Sequence, residues 1–124
     1  MGVSWYAVVV EAADPNRLSR WWAEVLGYQV LAEDRDEVLV GRDRGAQPLL
    51  SFTRTTDGKP GPNRLHIDLY PDDRDAEVER LVDMGARYVE SGQGKPGAVV
   101  LADPEGNEFS LIGPGGHRAG GAGL

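Results

Sequence analysis

The sequence predicts an α+β fold made of two tandem copies of a βαβββ unit. Three observations carry this expectation. The order strand, capped helix, three strands runs through "SWYAVVVEAADPNRLSRWWAEVLG", "YQVLAE", "EVLVGR" and "PLLSFTRT", and recurs from "RLHIDLY" to "EFSLIG". The segments Asp14 to Gly27 and Asp72 to Gly85 superpose at an offset of 58 residues, the length of one supersecondary unit. The stretch "TTDGKPGPN", rich in turn formers, lies between the copies.

The elements follow in order. The apolar run "SWYAVVVEAA" reads as a strand, and Asp14 then offers an N-cap with Pro15 at the first helical position. Leu18, Trp21, Trp22 and Val25 make a helical stripe that Gly27 stops. Trp21 and Trp22 are neighbours and point about 100° apart, so Trp22 is assigned to the core and Trp21 to the core or an interface. Three short strands complete the copy, separated by the charged "DRD" and by "DRGAQ". In the second copy Val78, Leu81 and Val82 are at helical spacing, followed by strands at "RYVESG" and "AVVLAD", the turn "DPEGN", and the strand "EFSLIG". The expected organisation is one domain over residues 1–112, with module one at 3–55, a linker at 56–62, module two at 63–112, and a glycine-rich tail at 113–124.

Binary pattern fixes the register of the first and last strands, because a slip of one residue turns every side chain to the other face. Leu65, Ile67 and Leu69 form the helix-facing set of "RLHIDLY", which leaves His66 and Asp68 on the opposite face. An offset of 59 maps the apolar set onto Tyr6, Val8 and Val10, and maps Glu108 and Ser110 onto Leu49 and Ser51. Offsets of 59 in strands and 58 in helices require a one-residue insertion or deletion before each helix. His66, Asp68, Glu108 and Ser110 are then expected on a concave face opposite Trp5, Glu11, Ser51 and Thr53.

Composition excludes several classes. A net charge of −7 and a pI near 4.7 repel phosphate backbones, so nucleic acid is not an expected partner while cationic ligands are permitted. The absence of cysteine removes disulfides and thiolate metal sites, and with no membrane-length apolar run or secretory signal the expected location is the cytoplasm. "DDRDAEVER" lacks the glycine and ligand spacing of an EF-hand, and neither "GKPG" continues as a phosphate loop. Nor does any serine sit in a nucleophile elbow.

The paired units, the "DPNRLSRWWAEVLGYQV" opening, "RLHIDL" and the closing "LADPEGNEFSLI" resemble the vicinal oxygen chelate superfamily, which includes glyoxalase I, extradiol dioxygenases, and fosfomycin- and bleomycin-resistance proteins. The sequence is most similar to glyoxalase-like actinobacterial members. The resemblance implies an incomplete β-barrel-like cleft with flanking helices and pairing of two chains into a homodimer. It also implies metal ligands on the first and last strand of each module. Carried over, the second module offers His66 and Glu108, while the first offers Ala7 and Leu49, which have no donor atoms.

Two functions follow from the resemblance. The first is a metal-free small-molecule binding protein, of the kind associated with antibiotic resistance. It would hold a drug-like or hydrophobic metabolite in a dimeric cleft through Trp5, Glu11, Ser51, His66, Asp68, Glu108 and Ser110. The alternative is a divalent-metal-dependent enzyme of the glyoxalase or dioxygenase type, a lyase, isomerase or dioxygenase, using His66 and Glu108. In a metal-free enzyme, Glu108 would be the general base.

Overall fold

The structure is a computed structural model and describes residues 2, 5–56, 67–90 and 98–113. The chain divides into two units, Met1–Gly58 and Lys59–Leu124, each with its own helix and four-stranded sheet. Both units have the βαβββ order expected from the repeat.

In the first unit, the valine-rich strand β1 (Ala7–Ala12) leads into α1 (Pro15–Leu26). The Asp14 carboxylate accepts a hydrogen bond from the Arg17 backbone N–H at 3.2 Å, and Pro15 occupies a position where no N–H is needed. The helix stops at Gly27, whose φ of +70° is the left-handed conformation that glycine adopts without steric cost. Strands β2 (Gln29–Glu33), β3 (Glu37–Gly41) and β4 (Leu49–Arg54) follow, and the sheet order is β1-β4-β3-β2. The last strand returns parallel beside the first, while β2, β3 and β4 pair antiparallel.

Leu18 and Trp22 of α1, with Val38, Val40 and Phe52 of the sheet, are all at most 3% exposed and form the core of this unit. Each such side chain contributes about 1.5–3 kcal/mol by leaving water. Trp21 is half-buried and meets Trp22 edge-on, with ring centroids 5.2 Å apart. On β3, a Cβ at Gly41 would lie 2.7 Å from Leu49 Cδ2 and 3.1 Å from Leu31 Cδ1, so glycine makes room for both leucines. Gly41→Ala is therefore expected to lower stability by about 1–2 kcal/mol, read as a fall in the urea midpoint.

A polar bridge ties α1 to β2. Arg20 donates from Nη1 and Nη2 to the two oxygens of Glu33, both at 2.8 Å, and Asn16 Nδ2 donates to Glu33 Oε2 at 2.6 Å. These bonds, from Arg20 first and Asn16 second, hold the Glu33 carboxyl at about 2, below its ordinary 4.5. A depressed folded-state pKa stabilises at pH above the unfolded value, and the contribution is lost as pH falls through the folded value. Arg20→Ala should therefore have a lower melting temperature than the parent at pH 6, and the gap should close between about 4.5 and about 2. Thermal melts at stepped pH measure this directly.

The second unit contains β5 (Ile67–Leu69), α2 (Arg74–Asp83), β6 (Arg87–Tyr88), β7 (Val99–Ala102) and β8 (Glu108–Leu111), in sheet order β5-β8-β7-β6. Its core is Val78, Leu81, Ala86, Leu101, Phe109 and Leu111. The strand offset of 59 holds: Val9 pairs with Ser51 as Asp68 pairs with Ser110, and Val10 pairs with Phe52 as Leu69 pairs with Leu111.

The helix alignment requires a correction. The N-cap of α2 is Asp73, whose carboxylate accepts from the Ala76 N–H at 3.1 Å, and not Asp72. The offset is therefore 59 through the helix start, and the length difference falls at the C-terminal end, where α1 has 12 residues and α2 has 10. There the Met84 N–H reaches the carbonyls of both Arg80 and Leu81 at 3.1 Å, a tightened last turn.

The β7–β8 turn is organised by Asp103, which is fully buried. Its carboxylate accepts from the backbone N–H groups of Glu105 and Asn107, both at 2.9 Å, and from Asn107 Nδ2 at 2.9 and 3.2 Å. Gly106, at φ +91°, lets the chain reverse. Among the described residues, no helix is long and apolar enough to cross a membrane.

Candidate functional site

Each sheet turns one face to its helix and leaves a second, more polar face. In the first unit, cross-strand pairing puts Glu11, Thr53 and Glu37 in one row and Val9, Ser51 and Leu39 in the next. Ala7 and Leu49 form a third row on the same face. Glu11 is exposed and Val9 is 60% exposed, whereas Ser51 is buried and donates from its Oγ to Glu37 Oε2 at 2.8 Å. That bond commits the serine hydrogen to a neighbouring carboxylate, so Ser51 orients Glu37.

Glu37 was not anticipated as a member of this face. Its signal is present in the sequence, since it opens the strand "EVLVGR" and alternates with Leu39, but alternation does not say which cross-strand neighbour it meets. Only the β3–β4 register, Glu37 with Thr53 and Leu39 with Ser51, puts it next to the serine.

In the second unit, Asp68 on β5 is in register with Ser110 on β8, which in turn faces Val100 on β7. Glu108, two residues before Ser110, shares this face and is in a row with Ala102 and Arg87. Asp68 is exposed, Glu108 half-buried and Ser110 buried. Of the site residues expected from sequence, Asp68, Glu108 and Ser110 are thus brought together on one sheet, and Glu11 and Ser51 on the other. His66 lies outside the described residues, as does His117. Trp5 is 66% exposed, next in sequence to Tyr6 at 57%, so the first unit presents large aromatic surface just before β1.

Chemically, these faces offer carboxylates, hydroxyl oxygens and aromatic surface. Such groups orient a ligand through hydrogen bonds and stacking. The two first-module positions where the resemblance places metal ligands, Ala7 and Leu49, are directly paired and provide a methyl and an isobutyl group. Among the described residues, no group of three or more histidine, aspartate or glutamate side chains is placed to hold a metal ion.

The glyoxalase-like domain family profile matches residues 7–112, which takes in both βαβββ units. The chain belongs to this family. Glyoxalase-like chains of the vicinal oxygen chelate superfamily also share its fold among solved structures. A glyoxalase/bleomycin resistance protein/dioxygenase family enzyme from Burkholderia phytofirmans superposes with a TM-score of 0.67 at 18% identity, covering 85% of this chain and 94% of that one. The trypanothione-dependent glyoxalase I of Leishmania major gives 0.65 at 17% identity, over 90% of this chain and 86% of that one. The bleomycin-binding protein of bleomycin-producing Streptomyces verticillus, in complex with copper(II)-bleomycin, gives 0.60 at 21% identity, over 92% and 98%. No curated protein matches the sequence.

Proposed function

We propose that this glyoxalase-like chain is a cytoplasmic small-molecule binding protein of the glyoxalase/bleomycin-resistance type, which sequesters a drug-like or hydrophobic metabolite as a homodimer without a metal. The observation that carries this reading is the pairing of Ala7 with Leu49. A divalent ion needs about three protein donors, and these two positions supply none. The donor set of the first module therefore does not fit a chelated metal. Glu108 and His66 act instead as polar contacts, with Asp68 and Ser110 beside Glu108 and with Glu11 and Ser51 on the other module. Trp5 supplies the stacking surface.

The test combines binding with recovery. Tryptophan fluorescence is titrated with copper(II)-bleomycin, metal-free bleomycin and a panel of planar aromatic drugs, and each compound is recovered and weighed by mass spectrometry. Saturable quenching with intact recovery supports sequestration. Conversion of a bound compound, or activation by added divalent ions, overturns it in favour of an enzyme using His66 and Glu108. For a compound that quenches, Trp5→Ala should weaken binding by roughly five- to thirtyfold, the loss of one stacked ring. Light scattering that reports a monomer at micromolar concentration would refute the dimer.

A further inference from the structure

The two copies of the βαβββ unit treat the space between helix and outer strand differently, and the difference is chemical. In the first unit that space is bridged by Arg20 and Asn16 of α1, both bonded to Glu33 of β2. Val38, on the adjoining strand, is fully buried. At the offset of 59 established by the N-caps, Arg20 corresponds to Glu79 and Asn16 to Asp75. The bridging cation of the first unit is thus replaced by a carboxylate in the second.

An open groove of about 570 Å³ runs along α2. Val78, Val82 and Val99 form its apolar floor, Tyr88 stands at one side, and Asp73, Asp75, Glu79 and Asp83 are its charged lining residues. Among the described residues, no lysine or arginine lines it. Val99, which takes the place of Val38 opposite the last strand, is only half-buried, and Tyr88 is 64% exposed. Arg74 lies 3.4 Å from Asp75 and offsets that charge, and Arg80 is engaged by Glu77 at 2.9 Å. Among the described residues, Glu79 and Asp83 form no ion pair. They are four residues apart on one helix, a like-charge spacing that costs a few tenths of a kcal/mol until a cation sits between them.

We propose that this groove docks an arginine-bearing segment of a partner polypeptide, whose guanidinium binds between the carboxylates of Glu79 and Asp83. Guanidinium matches the paired carboxylates by its planar fork and Tyr88 by cation–π contact, which an ammonium does less well. A peptide fits better than a lone cation because the acidic residues are spread along the whole of α2, ten residues and so about 15 Å. That length suits four or five extended residues. The proposal is independent of the ligand-binding function of the sheet faces.

The experiment is an NMR titration of the full chain with the peptide acetyl-Ala-Arg-Ala-Ala-Arg-Ala-amide, its lysine counterpart and N-acetylarginine amide. Binding of the arginine peptide should shift the amides of residues 73–83 and 87–88, and the lysine peptide should bind at least threefold more weakly. Glu79→Arg, which puts a cation at the position equivalent to Arg20, should weaken the arginine peptide at least tenfold while leaving the melting temperature at or above that of the parent. Glu79→Gln with Asp83→Asn should weaken it at least fivefold. Shifts centred elsewhere, equal affinity for the two peptides, or undiminished binding to folded Glu79→Arg would each overturn the proposal. So would N-acetylarginine amide binding as tightly as the peptide, since the occupant would then be a free guanidinium compound.

Discussion

Phe52→Ala is expected to lower stability by about 3–5 kcal/mol, the cost of an emptied aromatic site in a close-packed core. Phe52 is fully buried and pairs across the sheet with Val10 on one side and Val38 on the other. Leu18 and Trp22 of α1 belong to the same buried set. The loss should appear as a lower urea midpoint with little change in slope, because the surface exposed on unfolding is almost the same. Phe52→Leu keeps most of the volume and should cost less than half as much. An alanine variant that loses under about 1 kcal/mol would mean that the helix does not pack on this face.

Asp103→Ala is expected to cost about 2–4 kcal/mol, because it removes a buried carboxylate that accepts several hydrogen bonds within the turn. Two backbone N–H groups and the Asn107 amide point at it. Asp103→Asn keeps one carbonyl oxygen for the backbone donors and should fall between the parent and alanine. Asp43 is the control, since its carboxylate accepts a single bond from the Gly45 N–H at 3.0 Å and its side chain is 62% exposed. Asp43→Ala should cost less than about 1 kcal/mol, so thermal melts of the three variants separate a structural carboxylate from an ordinary loop aspartate. If Asp43→Ala and Asp103→Ala melt alike, the buried network is not what holds the turn.

Much of the fold was legible because the repeat constrains itself. The alternation in "RLHIDLY" and its counterpart fixed which residues share a face, and the observed pairs Val9–Ser51 and Asp68–Ser110 have the expected offset. The start of α2 was misassigned for an identifiable reason. "PDDRD" offers consecutive aspartates, either of which can cap a helix, and composition does not choose between them. The choice falls to Asp73, the cap that matches Asp14 and puts Val78 and Leu81 at the buried positions held by Ser19 and Trp22 in α1.

The site was legible in part. Asp68, Glu108 and Ser110 follow from strand alternation alone. Glu37 could not be assigned in the same way, since its approach to Ser51 runs diagonally between two strands whose register depends on a bulge-free β3–β4 pairing. The replacement of Arg20 by Glu79 is visible in the letters, but it has no meaning until both helices are seen to lie beside an outer strand.

By itself the sequence determined the duplicated βαβββ plan, the first helix with its cap and stop, and the absence of donor atoms at Ala7 and Leu49. These are local matters of periodicity and residue chemistry. Tertiary structure decided the cap of α2, the burial of Asp103, the Ser51–Glu37 bond and the open acidic groove of the second unit. Each depends on which groups from distant segments are brought within a few ångströms, and cross-strand register and helix docking set those distances.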